Sequence, residues 1–139
     1  MLSDDKQYIE SNYSDIISKK NGYKQVDFKK FLIRHFNRQI SLVDNSNLTK
    51  KLQNKFPKEY SDIHKTYFIN YGHLQTLPIQ SLDFYQSYVG IEGPKFHLLN
   101  DPVFVVKEKD RYILWEGYHR ILIKMINKEN LVSSYIISI

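Results

Sequence analysis

Residues 115–120, WEGYHR, place a carboxylate, a glycine, an imidazole and a guanidinium between two apolar runs, RYIL and ILIKMI. If a helix begins near Tyr118, its first amide groups lack intrahelical acceptors and carry a partial positive charge. Gly117 permits a positive φ or a close backbone approach. His119 can donate a hydrogen bond or move a proton, and Arg120 offers a fork of donors that matches phosphate oxygens. The stretch predicts an anion-binding corner; the alternative is a solvated helix start.

Candidate catalytic chemistry rests on Glu116 and His119. A carboxylate and an imidazole can act as general base and acid, but two ligands are few for a divalent metal, so no metal site is predicted. The chain has no cysteine, which excludes disulfides, zinc–thiolate sites and thiol chemistry. No glycine-rich phosphate loop of the P-loop or Rossmann type occurs.

The positive charge is concentrated early in the chain. Residues 1–60 carry 12 Lys and Arg against 7 Asp and Glu, whereas residues 61–139 carry 8 of each. A basic segment is typical of a nucleic-acid partner, and a solvated lysine-rich face is the alternative. The candidate nucleic-acid-binding residues are Lys29, Lys30, Arg34, Arg38, Lys50 and Lys51.

The N-terminal part predicts helices. Apolar residues spaced by three and four favour a helix over 3–20 that ends at Gly22. A second helix is expected after Asp27, and a third within 47–56 before Pro57. Residues 58–76 are ambiguous, and a helix ending before Gly72 is favoured.

Beyond residue 76 the pattern favours strands. The sequence predicts strands in 77–82, 103–106 and 111–115, with KEKD as the turn between the last two. A helix from Tyr118 and a closing strand over 131–139 follow. The fold class expected is α+β, with a basic helical region at 1–76 and a small α+β domain at 77–139, together one compact unit.

The run DPVFVVKEKDRYILWEGYHRILIKMINKENLVSSYIISI resembles the ParB N-terminal-domain/sulfiredoxin superfamily, in which a Gly-x-His-Arg-like turn joins a strand pair to a helix. The segment LPIQSLDFYQSYVG resembles the first part of the same domain. The resemblance covers roughly residues 77–139 and implies a small mixed sheet with a helix after the turn. It implies that nucleotide phosphates or nucleic acid are bound by Gly117, Tyr118, His119, Arg120 and Gln86.

Departures from the superfamily pattern narrow the implied function. Tyr118 stands where sulfiredoxins need a cysteine, so sulfinic acid reduction is not expected. The Gly-Glu-Arg-Arg motif that chromosome-segregation ParB proteins use for CTP does not occur in this sequence, and their helix-turn-helix domain is not expected. Nuclease-like relatives carry an acidic residue before the turn, and Glu116 occupies that place.

Two function classes stay open. One is a ParB-like nucleotide- or DNA-phosphate-binding protein, for which the resemblance leaves phosphoryl-transfer or nuclease activity open and implies a nucleoside triphosphate with magnesium. The other is a non-enzymatic protein-interaction or inhibitor module from a phage or plasmid, built on the same scaffold. The charged N-terminal stretch and the absence of about 18 consecutive apolar residues predict a cytoplasmic protein with no membrane partner.

Overall fold

The computed structural model describes residues 3–92 and 101–139, and they confirm the α+β class. The helices are α1 Ser3–Asn12, α2 Phe28–Phe36, α3 Ser46–Lys55, α4 Tyr67–Tyr71 and α5 Tyr118–Ile126, with short 3₁₀ turns at Ser14–Ile16 and Ile79–Ser81. The strands are β1 Ile17–Lys20, β2 Tyr23–Asp27, β3 His73–Pro78, β4 Leu82–Asp83, β5 Tyr88–Gly90, β6 Val103–Glu108, β7 Arg111–Glu116 and β8 Leu131–Ser138.

The chain divides into two compact units. Unit 1 takes the described residues of Met1–Leu42, Gln86–Asp101 and Tyr118–Asn130. Unit 2 takes Val43–Tyr85, Pro102–Gly117 and Leu131–Ile139. The boundary predicted between residues 76 and 77 falls inside β3, within unit 2.

Unit 1 contains a sheet with the strand order β1-β2-β5, and all of its pairs are antiparallel. The helix predicted over 3–20 is wrong beyond Asn12, because Ile17–Lys20 pairs with Tyr23–Asp27 as a hairpin. Asn21 and Gly22 both have positive φ, 53° and 82°. Positive φ at both central residues is what the twist of a two-residue hairpin loop requires, and Asn-Gly is its preferred sequence.

The helix expected after Asp27 is confirmed as α2. The Asp27 side chain caps it, since its Oδ1 accepts a hydrogen bond from the Lys30 N–H at 3.1 Å. The predicted apolar face is buried at Phe28, Phe31 and Leu32. The other fully buried side chains of unit 1 include those of Ile9, Val26, Val89, Ile91, Ile121 and Leu122.

Unit 2 contains a mixed five-stranded sheet among the described residues, in the order β3-β8-β6-β7-β4. β6 runs antiparallel to β7 and parallel to β8, β3 is antiparallel to β8, and β4 is parallel to β7. The predicted strand pair and closing strand are therefore confirmed. The turn is shorter than KEKD, because β6 continues to Glu108 and Lys109 alone in that run has a positive φ. The strand predicted over 77–82 is interrupted by the 3₁₀ turn at Ile79–Ser81.

The core of unit 2 lies between its sheet and helices α3 and α4. It is formed by Leu48, Leu52, Phe56, Tyr67, Phe68, Val106, Ile113, Trp115 and Ile137. The third predicted helix is confirmed as α3. In 58–76 the helix covers only Tyr67–Tyr71, because Asp62 accepts hydrogen bonds from the His64 and Thr66 N–H groups, each at 3.0 Å, and so holds the preceding residues in turns.

Candidate phosphate-binding site

The predicted strand–glycine–helix junction is present: Glu116 is the last residue of β7, and α5 begins at Tyr118. Gly117 between them has a φ of +114°. A Cβ at this position would lie 2.5 Å from Cγ1 of Val103, well inside van der Waals contact. The packing of unit 2 therefore explains the glycine by itself, whether or not a phosphate approaches its backbone.

Glu116 belongs to unit 2, where its exposed carboxylate meets a lysine. Lys65 Nζ lies 3.4 Å from Glu116 Oε1. The ion pair partly neutralises the side chain that the sequence nominated as a catalytic base.

Tyr118 directs its side chain into unit 1. Only 5% of the residue is exposed, and its ring packs edge-on against Phe28, with 5.5 Å between the ring centroids. Its hydroxyl oxygen accepts a hydrogen bond from the Gln86 N–H at 3.4 Å. Two predicted site residues that are 32 positions apart therefore meet at the start of α5. The Gln86 side chain donates to the Tyr88 carbonyl at 2.7 Å.

His119 lies over strand β5. A Cβ at Gly90 would come within 3.8 Å of its Nε2, so the imidazole rests against the backbone where Gly90 leaves room. His119 and Arg120 are both half-buried in the first turn of α5. Unit 1 thus gathers Gln86, Tyr118, His119 and Arg120 around one helix start.

The basic residues predicted on the second helix lie in unit 1, and two of them are already engaged. Arg34 binds Asp15 with two nitrogens, at 3.1 and 2.5 Å, and its guanidinium carbon lies 5.2 Å from the Tyr13 ring centroid. This interaction lowers the pKa of Asp15, chiefly through the hydrogen bonds from Arg34. Lys29 and Lys30 are exposed and make no ion pair with the residues that the structure describes. Arg38 is also exposed, and its guanidinium carbon lies 5.3 Å from the centroid of the Phe36 ring.

The basic residues of α3 lie in unit 2. Lys51 forms an ion pair with Glu108, and Lys55 donates to the Ser138 carbonyl, while Lys50 is exposed. An open cavity of about 410 Å³ is lined by Lys51, Asn54, Lys55 and Ile139. The six predicted nucleic-acid-binding residues are therefore divided between the two units, and some of their charges are neutralised.

Sequence reasoning missed the exposed residues of the β1–β2 hairpin, because it placed Ile17–Lys20 in a helix. Lys19, Lys20 and Tyr23 are exposed there. The Asn-Gly dipeptide flanked by strand-forming residues was the signal that could have found them.

No protein-family model, curated protein or solved structure matches this chain. Within residues 3–92 and 101–139, no three His, Asp or Glu side chains come together as metal ligands. None of the helices in those residues is long and apolar enough to cross a membrane.

Proposed function

We propose that this chain binds phosphate-bearing ligands, a nucleotide or a nucleic acid, at the start of α5, as the ParB N-terminal-domain/sulfiredoxin resemblance implies. The observation that carries the proposal is the meeting of Gln86, Tyr118 and His119 at the helix start that also presents Arg120. The resemblance nominated all four residues, and Gln86 lies 32 positions from Tyr118 in the sequence.

The chemistry of this helix start suits a phosphate. The first N–H groups of α5 have no acceptor within the helix, and the helix dipole adds a partial positive charge there. Arg120 supplies a guanidinium and His119 a ring N–H, both within the first turn. A dianionic phosphate accepts charge-assisted hydrogen bonds from such groups, and these are stronger than bonds between neutral groups.

Magnesium would accompany a nucleoside triphosphate through phosphate oxygens and water, with one or two carboxylates. The resemblance also gives catalytic roles to Glu116 and His119, as base and acid in phosphoryl transfer or nucleic-acid cleavage. Those roles are tested one residue at a time. Glu116→Gln should abolish nucleotide hydrolysis or DNA cleavage and leave ligand binding unchanged. Equal activity in the variant and the wild type would show that Glu116 has no catalytic role.

A thermal-shift series tests the binding proposal. ATP, CTP, GTP, ADP and short single-stranded DNA are added with and without magnesium. A ligand at a hundred times its dissociation constant stabilises the folded state by about 2.7 kcal/mol, a rise in melting temperature of roughly 10 °C for a chain of this size. Arg120→Ala should remove the shift, and Arg120→Lys should keep only part of it, because lysine keeps the charge but loses the fork.

Lys58→Ala is the matched control, since it also removes one positive charge, from an exposed residue of unit 2. Circular dichroism spectra establish that each variant is folded. A ligand shift that survives Arg120→Ala, or that Lys58→Ala removes equally, would contradict the proposal.

A second candidate function is protein interaction, and one feature of unit 2 favours it. β3 is an edge strand of the five-stranded sheet, and four consecutive residues from His73 to Thr76 are exposed. Leu74 is 57% exposed, and Tyr71 just before the strand is 62% exposed. Such an edge can accept a further strand, and from His73 to Leu77 it carries no Lys, Arg, Asp or Glu to oppose pairing with a second copy.

Light scattering after size-exclusion chromatography tests the second candidate. The strand-pairing account expects a dimer that Thr76→Lys converts to a monomer, because edge charges oppose strand addition. A wild-type chain that stays monomeric at every concentration would refute self-pairing through β3.

A further inference from the structure

The three-stranded sheet of unit 1 has one covered face. Successive side chains of a strand point to opposite faces, and cross-strand partners share a face. Val26 and Val89 are partners in the register and are fully buried, so their face lies against the core of unit 1.

The other face of this sheet, called the open face, is exposed at Ser18, Lys20, Tyr23 and Tyr88 and half-buried at Gln25, Asp27 and Gly90. Cross-strand pairing places Lys20 opposite Tyr23, Ser18 opposite Gln25, Gln25 opposite Gly90, and Asp27 opposite Tyr88. Tyr23 is 65% exposed and Tyr88 is 45% exposed, although a tyrosine ring on a sheet is normally packed. The residues of this open face are Ser18, Lys20, Tyr23, Gln25, Asp27, Tyr88 and Gly90.

Two exposed rings therefore lie on either side of the sheet position that His119 covers. Tyr88 pairs with Asp27, which lies four positions after Tyr23 on β2. The two rings are therefore separated by on the order of 13 Å along the strand direction. The Gln25–Gly90 pair lies between them, and His119 Nε2 approaches Gly90. The open face is thus continuous with the start of α5.

The hairpin beside this face is positively charged. Lys20 belongs to the open face, whereas Lys19 and Lys24 lie opposite each other on the face of Val26. Glu10 neutralises Lys24 at 2.9 Å, whereas Lys19 and Lys20 are exposed and form no ion pair with any residue the structure describes. By sequence, unit 1 has 12 Lys and Arg and 8 Asp and Glu, while unit 2 has 8 and 7.

We propose that this open face binds single-stranded nucleic acid, with Tyr23 and Tyr88 stacking on bases and Lys20 contacting a phosphate. The inference rests on the proposed phosphate function and names its substrate class. Exposed aromatic rings beside an unpaired cation suit bases and backbone together, and only a single strand offers its base faces to a flat sheet. A strand lying across the sheet brings its backbone to the α5 start at His119.

Fluorescence polarisation with a labelled single-stranded oligonucleotide tests this. Each base–aromatic stack contributes roughly a 5- to 150-fold factor in affinity, so Tyr23→Ala and Tyr88→Ala should each weaken binding about fivefold or more. Tyr23→Phe and Tyr88→Phe keep the ring and should bind as the wild type does. Tyr71→Ala, which removes an exposed tyrosine of unit 2, should have no effect.

Salt dependence and duplex competition test the backbone contacts and the strand preference. Lys20→Gln should make the slope of log affinity against log salt less steep by about 0.7. Duplex DNA of the same sequence should compete at least tenfold less well than the single strand. Equal competition by duplex, or affinity unchanged in both alanine variants of the tyrosines, would overturn the inference.

The thermal shift with nucleotides separates this inference from the proposed function. A wild-type chain that shifts with a nucleotide, loses the shift in Arg120→Ala and yet binds no oligonucleotide would overturn the sheet proposal and leave the α5 site standing. A chain that responds to neither kind of ligand would overturn both. Loss of oligonucleotide binding in Tyr23→Ala, with the nucleotide shift retained, would support both.

Discussion

Replacing Gly117 by alanine tests how the fold constrains the candidate site. The residue has a φ of +114°, which side-chain-bearing residues rarely adopt, and its new Cβ would meet Val103 Cγ1 at 2.5 Å and Val103 Cβ at 2.8 Å. Carbon atoms pack best at about 3.5 to 4.0 Å, so β6 or β7 would have to shift by about 1 Å. Overpacking of this kind costs about 1 to 3 kcal/mol, and the positive φ about 1 to 2 kcal/mol more.

Gly117→Ala should therefore lower the free energy of unfolding by about 2 to 5 kcal/mol, which corresponds to a fall in melting temperature of about 10 °C or more. Gly22→Ala is the matched control, because Gly22 also has a positive φ, +82°, but a Cβ there would meet nothing within 4 Å. It should cost only the conformational part, about 1 to 2 kcal/mol.

Urea unfolding followed by far-UV circular dichroism and by the fluorescence of Trp115, the single tryptophan, measures both costs. Val103→Ala removes the obstructing methyl groups, so Gly117→Ala should cost less in that background than in the wild type. A Gly117→Ala cost no larger than that of Gly22→Ala, with no relief from Val103→Ala, would refute the packing explanation. The positive φ alone would then account for the glycine.

Three further predictions concern single side chains. Asp27→Ala removes the cap of α2 and should destabilise the protein by about 1 kcal/mol, whereas Asp27→Asn should cost much less, as thermal unfolding will measure. The buried hydroxyl of Tyr67 has no hydrogen-bond partner among the described residues, and that of Tyr85 donates to a backbone carbonyl at 3.0 Å. Tyr67→Phe should therefore leave stability unchanged or higher, and Tyr85→Phe should lower it by about 1 kcal/mol; a loss in the first variant as large as in the second would contradict this. Hydrogen bonds from the hydroxyl and N–H of Thr66 lower the pKa of Asp62 in the folded state. The contribution of Asp62 to folding stability is therefore complete above the unfolded pKa near 3.9, and it is lost as the pH falls through the lower folded pKa. Urea unfolding of Asp62→Asn between pH 5 and pH 2 should show a smaller acid-induced loss of stability than the wild type, and equal losses would contradict it.

Much of the fold could be predicted because local signals agreed with tertiary packing. In α5 the structure buries Tyr118, Leu122 and Met125, whose spacing of four and three is that of one helix face. At α2 the capping side chain of Asp27 and the apolar face beginning at Phe28 gave the same start. Where the capping residue, the apolar spacing and the buried face all indicate the same helix, the prediction from sequence agrees with the structure.

The β1–β2 hairpin was missed because the apolar residues before it fit the three-and-four spacing of a helix, although the segment forms a strand. Ile16 and Ile17 extend the three-and-four spacing of α1, yet they are the end of a 3₁₀ turn and the start of a strand. Pairing with β2 and the backbone freedom of Gly22 decide the outcome, and that pairing is a tertiary contact that the apolar spacing does not encode.

The candidate site was predictable only in part. The helix start and its His119 and Arg120 followed from the local pattern. The contact between Gln86 and Tyr118 depends on chain segments that are distant in sequence, and the position of His119 over β5 depends on the small size of Gly90. Backbone geometry, which a sequence does not display, supplies these contacts.

Titration of the ¹⁵N-labelled chain with the nucleotide or oligonucleotide that gives the largest thermal shift, followed through the backbone amide resonances, tests whether phosphate binds at the start of α5. The largest chemical-shift changes should occur at His119 and Arg120 in the first turn of α5 and at Gln86. Changes confined to α3, around Lys51 and Lys55, or no saturable change at any amide, would contradict a phosphate site at the start of α5.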